Sequence, residues 1–291
     1  MEKTTVYGLP LNPTHLLNEL KGASFCVSFG TRAKLGKQLD QAIELVGQDG
    51  ILLVDNGAFT HWKSGGAMTE EYITEFEIWA GEILDRCPQA VAVIPDVIRG
   101  TMQQNAELIE TTMLDLDRAM PIWHMDEPIS YLIGLCERFN YIGFGSTIDA
   151  PGSAKWHARI KEAFDAIATW EKETGEVRPR IHMMRAQNYA HLYGFDSSDS
   201  TNVGMNHNRQ LEKRGENVAQ FAARIDAKIQ KSAGPASEHQ VKRPLLDHIE
   251  TSNLRAIWFL EQAGYQVREQ LEVTAPADAD VWLAQYNAAQ V

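Results

Sequence analysis

Ile51-Leu52-Leu53-Val54-Asp55-Asn56-Gly57-Ala58-Phe59 is an apolar run that turns polar in a single step. Four consecutive apolar residues without alternation read as a strand buried on both faces, the mark of a parallel sheet covered by helices. Upstream, Leu35, Leu39, Ile43 and Val46 recur at helical spacing over residues 33–46, and Gly47 and Gly50 stop that helix. A short apolar segment at 24–29 precedes it. Downstream, residues 69–84 are helical, Pro88 closes a connection, and residues 90–94 form the next buried strand.

The alternation continues with a helix at 102–116, a strand at 121–124, a helix at 129–137 and a strand at 141–145. An amphipathic helix at 155–174, ended by Gly175, leads to a strand at 180–184 and a short helix at 186–192. Six strands by Met184, with one or two short ones expected at 193–195 and 201–203, suit a (β/α)8 TIM-type barrel better than a smaller open sheet. No Gly-x-Gly-x-x-Gly follows an early strand, so a dinucleotide-binding fold loses its main support. Past Val203, residues 211–231 read as one charged helix, 232–237 as a linker, 245–263 as a helix and 281–286 as a last apolar element. The expected organisation is a barrel over residues 1–231 and a linker with a helical C-terminal appendage over 232–291.

Composition narrows the function. A hydrophobic fraction of 44% and a charged fraction of 23% are those of a soluble globular protein. The 291 residues suffice for a barrel, which takes about 250. A net charge of −12 argues against a broadly basic nucleic-acid surface, leaving only local Lys/Arg clusters at 178–185, 209–214 and 228–243. No apolar run approaches the roughly 18 residues of a membrane span, and the N-terminus does not read as a signal peptide. Cys26, Cys87 and Cys136 are far apart with no Cys-x-x-Cys pair, so buried free thiols and a cytoplasmic setting are expected.

The chemistry gathers where strands end. In a barrel the carboxyl ends of all strands open onto one face. Asp55-Asn56-Gly57, Pro95-Asp96, Trp123-His124-Met125-Asp126-Glu127, Gly145-Ser146-Thr147 and His182-Met183-Met184-Arg185 all follow strands. Asp55, Asp96, His124, Gly145, His182 and Asp199 are therefore expected around one mouth. Each also has a structural reading. Asp-Asn-Gly is a good turn, Asp96 can cap the next helix, and His124 and His182 can be satisfied core histidines. Gly194-Phe195-Asp196-Ser197-Ser198-Asp199-Ser200-Thr201 reads alone as a surface turn, because Asp and Ser bond readily to nearby backbone. A divalent ion and metal-dependent hydrolysis is one alternative chemistry, although no His-x-His or His-Glu-x-x-His pair occurs. A non-catalytic nucleic-acid-binding barrel is another.

In order along residues 24–203, these segments resemble the tRNA-guanine transglycosylase superfamily. Asp55-Asn56-Gly57-Ala58-Phe59 is similar to its Asp-Ser-Gly-Gly-Phe/Tyr segment, and Gly194–Ser200 to its Gly-x-Asp-x-x-Asp-Cys segment. Asp96 falls where the family has a base-recognising aspartate, and Tyr141–Gly145 where it has a glycine-rich strand. The resemblance implies a barrel that exchanges guanine for a 7-deazaguanine base through a covalent enzyme–nucleic acid intermediate. Asp199 would be the nucleophile, with Asp196 the alternative, and Asp55 the general acid/base. Asp96, Asn56, Gly57, Phe59, Gly143, Gly145, Ser146, His182 and Asp196 would line the substrate. Apart from the resemblance, placement near the mouth makes Arg185 and His182 candidates to contact phosphate, with Asn206, His207 and Arg209 extending that surface. The tRNA enzymes hold zinc with three cysteines and a histidine after the catalytic aspartate, but here no cysteine follows Cys136. No metal or cofactor is therefore expected. The departure points to the zinc-less 7-deazaguanine DNA transglycosylases of phages and bacterial DNA-modification clusters, with guanine-containing DNA and a 7-deazaguanine base as partners. A partner ATPase or helicase giving access to the DNA is compatible with that expectation.

Overall fold

Strand β1 (Thr4–Gly8) opens the barrel in the computed structural model, which describes residues 3–230 together with 266–267 and 273–274. It is followed by β2 (Ser24–Ser28), β3 (Leu52–Asp55), β4 (Ala90–Val93), β5 (Ala119–Met120), β6 (Ile122–His124), β7 (Tyr141–Gly145), β8 (Arg180–Met183) and β9 (Ser197–Ser200). Every pairing among them is parallel, in the order β5-β4-β3-β2-β1-β9-β8-β7-β6. The two ends of that order, β5 and β6, are consecutive in the chain with only Pro121 between them. Proline lacks the N–H that a central strand donates, so the ladder breaks there. Its carbonyl still accepts the Gly143 N–H at 2.9 Å. The two pieces act as one stave, and eight staves make the (β/α)8 barrel.

Two staves depart from the pattern expected of the sequence. Thr4–Gly8 is a strand of β-branched and aromatic residues that the apolar-run criterion passes over. The last stave is Ser197–Ser200 rather than residues 193–195 and 201–203. Ser-Ser-Asp-Ser has no apolar residue, and only its neighbours make it a strand. Thr4 N–H donates to Asp196 O at 2.8 Å on one side, and Asp196 N–H to Ile181 O at 2.9 Å on the other.

The helices follow their apolar faces. In α6 (Ala154–Thr174), Trp156, Ile160, Ala163, Ile167 and Trp170 form one buried stripe, with Ser153 capping the start and Gly175 turning the end left-handed. In α3 (Glu70–Arg86), Phe76, Ala80 and Ile83 do the same, behind a Thr69 cap. Fully burying a side chain such as Ile160 or Phe76 contributes about 1.5–3 kcal/mol. Some helices are shorter than expected. The 33–46 segment begins as a 3-10 turn (Phe29–Lys34) before α1 (Gln38–Leu45). After α2 (Ala58–Lys63), α4 (Met102–Thr111) stops five residues before the expected Leu116. Helices α5 (Ile129–Arg138) and α7 (Gln187–Ala190) precede the region expected to be one helix at 211–231. That region is instead split between α8 (Asn202–Arg214) and α9 (Val218–Gln230), because Gly215 takes φ +67° and caps α8.

Inside the ring, Val6, Ile51, Leu53, Val93, Met120, Ile122 and Tyr141 form one cluster, joined by Cys26, Val91 and Met184. The barrel is therefore a packed core below its mouth, as small barrels are. The three cysteines are free; Cys87 and Cys136 are buried and Cys26 is partly so. Packing divides the chain into two units, Met1–Leu245 and Leu246–Val291. In the second, β10 (Gln266–Val267) pairs antiparallel with β11 (Val273–Thr274). The expected linker at 232–237, helix at 245–263 and apolar element at 281–286 lie outside the described residues.

Candidate active site at the barrel mouth

Alternation along each stave decides what reaches the mouth. Leu53 points into the barrel core, so Asp55, two residues on, points to the same side at the strand's carboxyl end. Val6 is also interior and pairs in register with Asp199, which places Asp199 on the inner face of β9. The stretch that reads as a surface turn is thus a stave, and its second aspartate faces inward.

The pKa values of the two carboxyl groups are moved in opposite directions. Burial raises the Asp55 pKa, and the nearby charges of Asp199 and Asp96 push the same way; the Ser28 hydroxyl and Arg185 oppose them without cancelling the rise. Burial also works to raise Asp199, but His182 and Arg185 outweigh it, so its pKa is lowered. Arg185 donates its backbone N–H to Asp199 Oδ1 at 2.6 Å. Cys26, on the stave between β1 and β3, has its thiol pKa raised by burial and then by Asp55 and Asp199, with Arg185 opposing. Two neighbouring carboxyl groups whose pKa values are pushed apart are the arrangement that divides acid and nucleophile roles.

A buried polar arc runs round the other half of the mouth. Asn56 Nδ2 donates to Asp96 Oδ1 at 2.7 Å and to Ile94 O at 2.9 Å, while its Oδ1 accepts the Ala58 N–H. Asp96 Oδ2 lies 3.1 Å from His124 Nε2. Burial opposes charge on His124, but Asp96, then Glu127 and Asp126, hold its pKa above the ordinary value. Glu127 accepts the His124 N–H at 2.8 Å and Asn105 Nδ2 at 3.1 Å, and burial pushes its pKa up to about 7. Glu127 and Asn105 were missed as site residues in the sequence. The available signal was a glutamate three residues past a strand-end histidine, placed before a proline where no helix face explains it.

Around this arc the remaining expected residues take varied places. Gly57 has φ +75°, and a Cβ there would lie 2.4 Å from Gly30 N and 2.9 Å from the Tyr72 hydroxyl. Gly57→Ala is expected to cost at least about 1–2 kcal/mol from the left-handed backbone alone, read as a lower denaturation midpoint. Phe59 and Trp62 are exposed on α2, their rings 5.8 Å apart. The Arg185 guanidinium sits 3.6 Å over Phe59, and that of Arg99 5.1 Å over Trp62. Both arginines hold positive φ, 64° and 60°, conformations that cost energy and gather at functional sites. Gly145 lies at the mouth against His124, whereas Gly143 is deeper: its N–H is committed to Pro121, and a Cβ would collide with Ile122. Ser146 accepts the Trp156 indole N–H at 3.0 Å.

Asp196 lies away from the mouth. It precedes β9, at the amino-terminal end of the barrel, where Oδ2 is 2.7 Å from Arg178 Nη1 and accepts the Ile181 N–H at 2.8 Å. It lines a cavity of about 1010 Å³ at that end, with Lys3, Arg180 and Tyr141. Because side chains alternate and Asp196 and Asp199 differ by three residues, they cannot both face the mouth. His207 is also turned inward, its Nδ1 on the Val203 carbonyl at 3.1 Å, and Asn206 bonds to Asn202 within α8.

Among the described residues, no three His, Cys, Asp or Glu side chains are placed to hold a metal ion. Nor is any helix there long and apolar enough to cross a membrane. Compared with known proteins, the chain matches no family model and no curated protein sequence.

Proposed function

We propose that this chain is a base-exchanging glycosyltransferase of the guanine transglycosylase type, replacing guanine in DNA with a 7-deazaguanine base. The observation that carries the reading is the pair Asp55 and Asp199, converging on one mouth with pKa values moved in opposite directions. Anionic Asp199 attacks the sugar C1′ as the C1′–N9 bond breaks, while protonated Asp55 gives its proton to the leaving guanine. An incoming 7-deazaguanine then returns a proton from N9 to Asp55 and attacks C1′, expelling Asp199. The logic is that of a retaining glycosidase with a base in place of water. Asp96, oriented by Asn56 and His124, offers a carboxylate acceptor to the amino and ring N–H groups of a guanine edge.

The exposed Phe59 and Trp62 with their arginines support a polynucleotide over a free nucleotide, since aromatic faces flanked by guanidinium groups suit unpaired bases and phosphate. Trp62→Ala is expected to weaken single-stranded DNA binding by about 1–3 kcal/mol, read by fluorescence titration.

The pH profile follows from the two shifts. Asp199 must be ionised and its pKa is lowered, so the rising limb of kcat/KM lies below the usual aspartate range. Asp55 must be protonated and its pKa is raised, so the falling limb lies above that range. Asp55→Asn should lose base exchange without shifting the rising limb of any residual activity. The direct test is release of label from guanine-labelled DNA incubated with a 7-deazaguanine base. Release that depends on both components supports the reading; no release from DNA or tRNA under any such pairing sinks it.

A further inference from the structure

Below the mouth, three buried side chains on adjacent staves touch in series. The Tyr141 hydroxyl on β7 is 2.6 Å from Ser197 Oγ on β9, and Ser197 Oγ is 2.8 Å from His182 Nδ1 on β8. All three are buried, His182 and Ser197 almost completely. The register forces the meeting: Gly143, His182 and Ser197 align across the three staves, and Tyr141 stands two residues before Gly143 on the same interior face. Gly143, lacking a side chain, leaves room that Ile122 and Met120 fill.

The direction of donation can be worked out along the series. A buried phenol with one partner donates, because leaving its hydrogen unbonded in the core is costly. Ser197 Oγ, accepting that hydrogen, has its own for His182 Nδ1. Nδ1 then accepts, and in a ring with one hydrogen that hydrogen sits on Nε2. Nε2 is buried, and the acceptor it faces is Asp199 Oδ1 in a long contact of 3.5 Å. The same oxygen takes the Arg185 backbone N–H. Neither donor touches Oδ2.

We infer that His182 is a positioning residue for Asp199: the Tyr141–Ser197 chain fixes it as the Nε2–H tautomer, and that N–H with the Arg185 amide orients Oδ1 so that Oδ2 is the attacking oxygen. The inference rests on the proposed role of Asp199, but the tautomer stands apart from it. The geometry is not that of a serine hydrolase. Ser197 sits on Nδ1 rather than on the nitrogen facing the aspartate, and it is buried and bonded on both sides, so it is no nucleophile. The charged and titratable groups facing Asp199 are His182 and Arg185 from the β8 side, Asp55 from β3 and Cys26 from β2.

Side-chain 15N NMR of the histidine-labelled protein tests the tautomer directly. His182 is expected as Nε2–H at neutral pH, and Ser197→Ala is expected to lose that single tautomer. An Nδ1–H ring in the wild type, or an unchanged ring in Ser197→Ala, overturns the inference. In base exchange, Ser197→Ala should lower kcat about tenfold to a hundredfold, with KM held and the rising pH limb moved upward. His182→Gln, whose amide nitrogen reaches the Nε2 position, should retain more activity than His182→Leu; equal loss in both would reduce His182 to packing and overturn the positioning role. The predicted tautomer in a protein with no exchange activity would support the hydrogen-bond chain and sink the transglycosylase reading instead.

Discussion

Asp199→Asn is expected to abolish both base exchange and the covalent protein–DNA adduct. Asparagine keeps the volume and can still accept the Arg185 amide, so the stave remains, but its amide is a poor nucleophile toward C1′. Loss of a covalent nucleophile costs about 10⁴-fold or more in turnover, because the step depends on the group as a unit with its partners. Adduct on a denaturing gel and label release in solution are the two readings. Folding should be nearly unaffected, so the melting temperature separates this outcome from collapse of the mouth. Retained exchange in a well-folded Asp199→Asn protein would remove Asp199 from the chemistry.

Asp196→Ala should have the opposite signature. Arg178 is buried and gives Nη1 and Nη2 to the Asp196 carboxylate, with further bonds to the Pro179 and Gly194 carbonyls. Deleting the carboxylate leaves a buried guanidinium without its counter-charge and strips the Ile181 N–H of a partner. Breaking such a pair costs about 3–5 kcal/mol. That is a large share of the total stability of a domain, about 5–15 kcal/mol. Chemical denaturation should show a much lower midpoint with an unchanged slope. At a temperature where the variant remains folded, its exchange activity per folded molecule should match the wild type. A stable but inactive Asp196→Ala protein would move the nucleophile three residues upstream.

These two aspartates show where sequence reasoning reached and where it stopped. The pattern in Gly194–Ser200 and its resemblance to a known motif singled out two carboxylates, and spacing favoured the second. Nothing local could tell that the first belongs to the opposite end of the barrel. That follows from period-two alternation in a strand, and Ser-Ser-Asp-Ser carries no sign of being a strand. Its conformation is imposed by Thr4–Gly8 on one side and Arg180–Met183 on the other.

What the sequence determined by itself is the barrel: continuous apolar staves such as Leu52–Val54 and Ala90–Val93 can be satisfied only under helices on a parallel sheet, and buried stripes such as Trp156–Ile160–Ala163–Ile167 supply that cover. It also placed Asp55, Asp96 and His124 at strand ends, since a polar residue straight after a buried run has to lie at its edge. Tertiary structure alone decided how they meet their neighbours. Burial, with Asp199 and Asp96, raises Asp55, while His182 and Arg185 lower Asp199 against its burial, and Glu127 and Asn105 enter the site through bonds to His124 and Val97. Charge–charge energy and desolvation depend on distances through space, and a linear pattern holds no record of those distances until the ring brings the staves together.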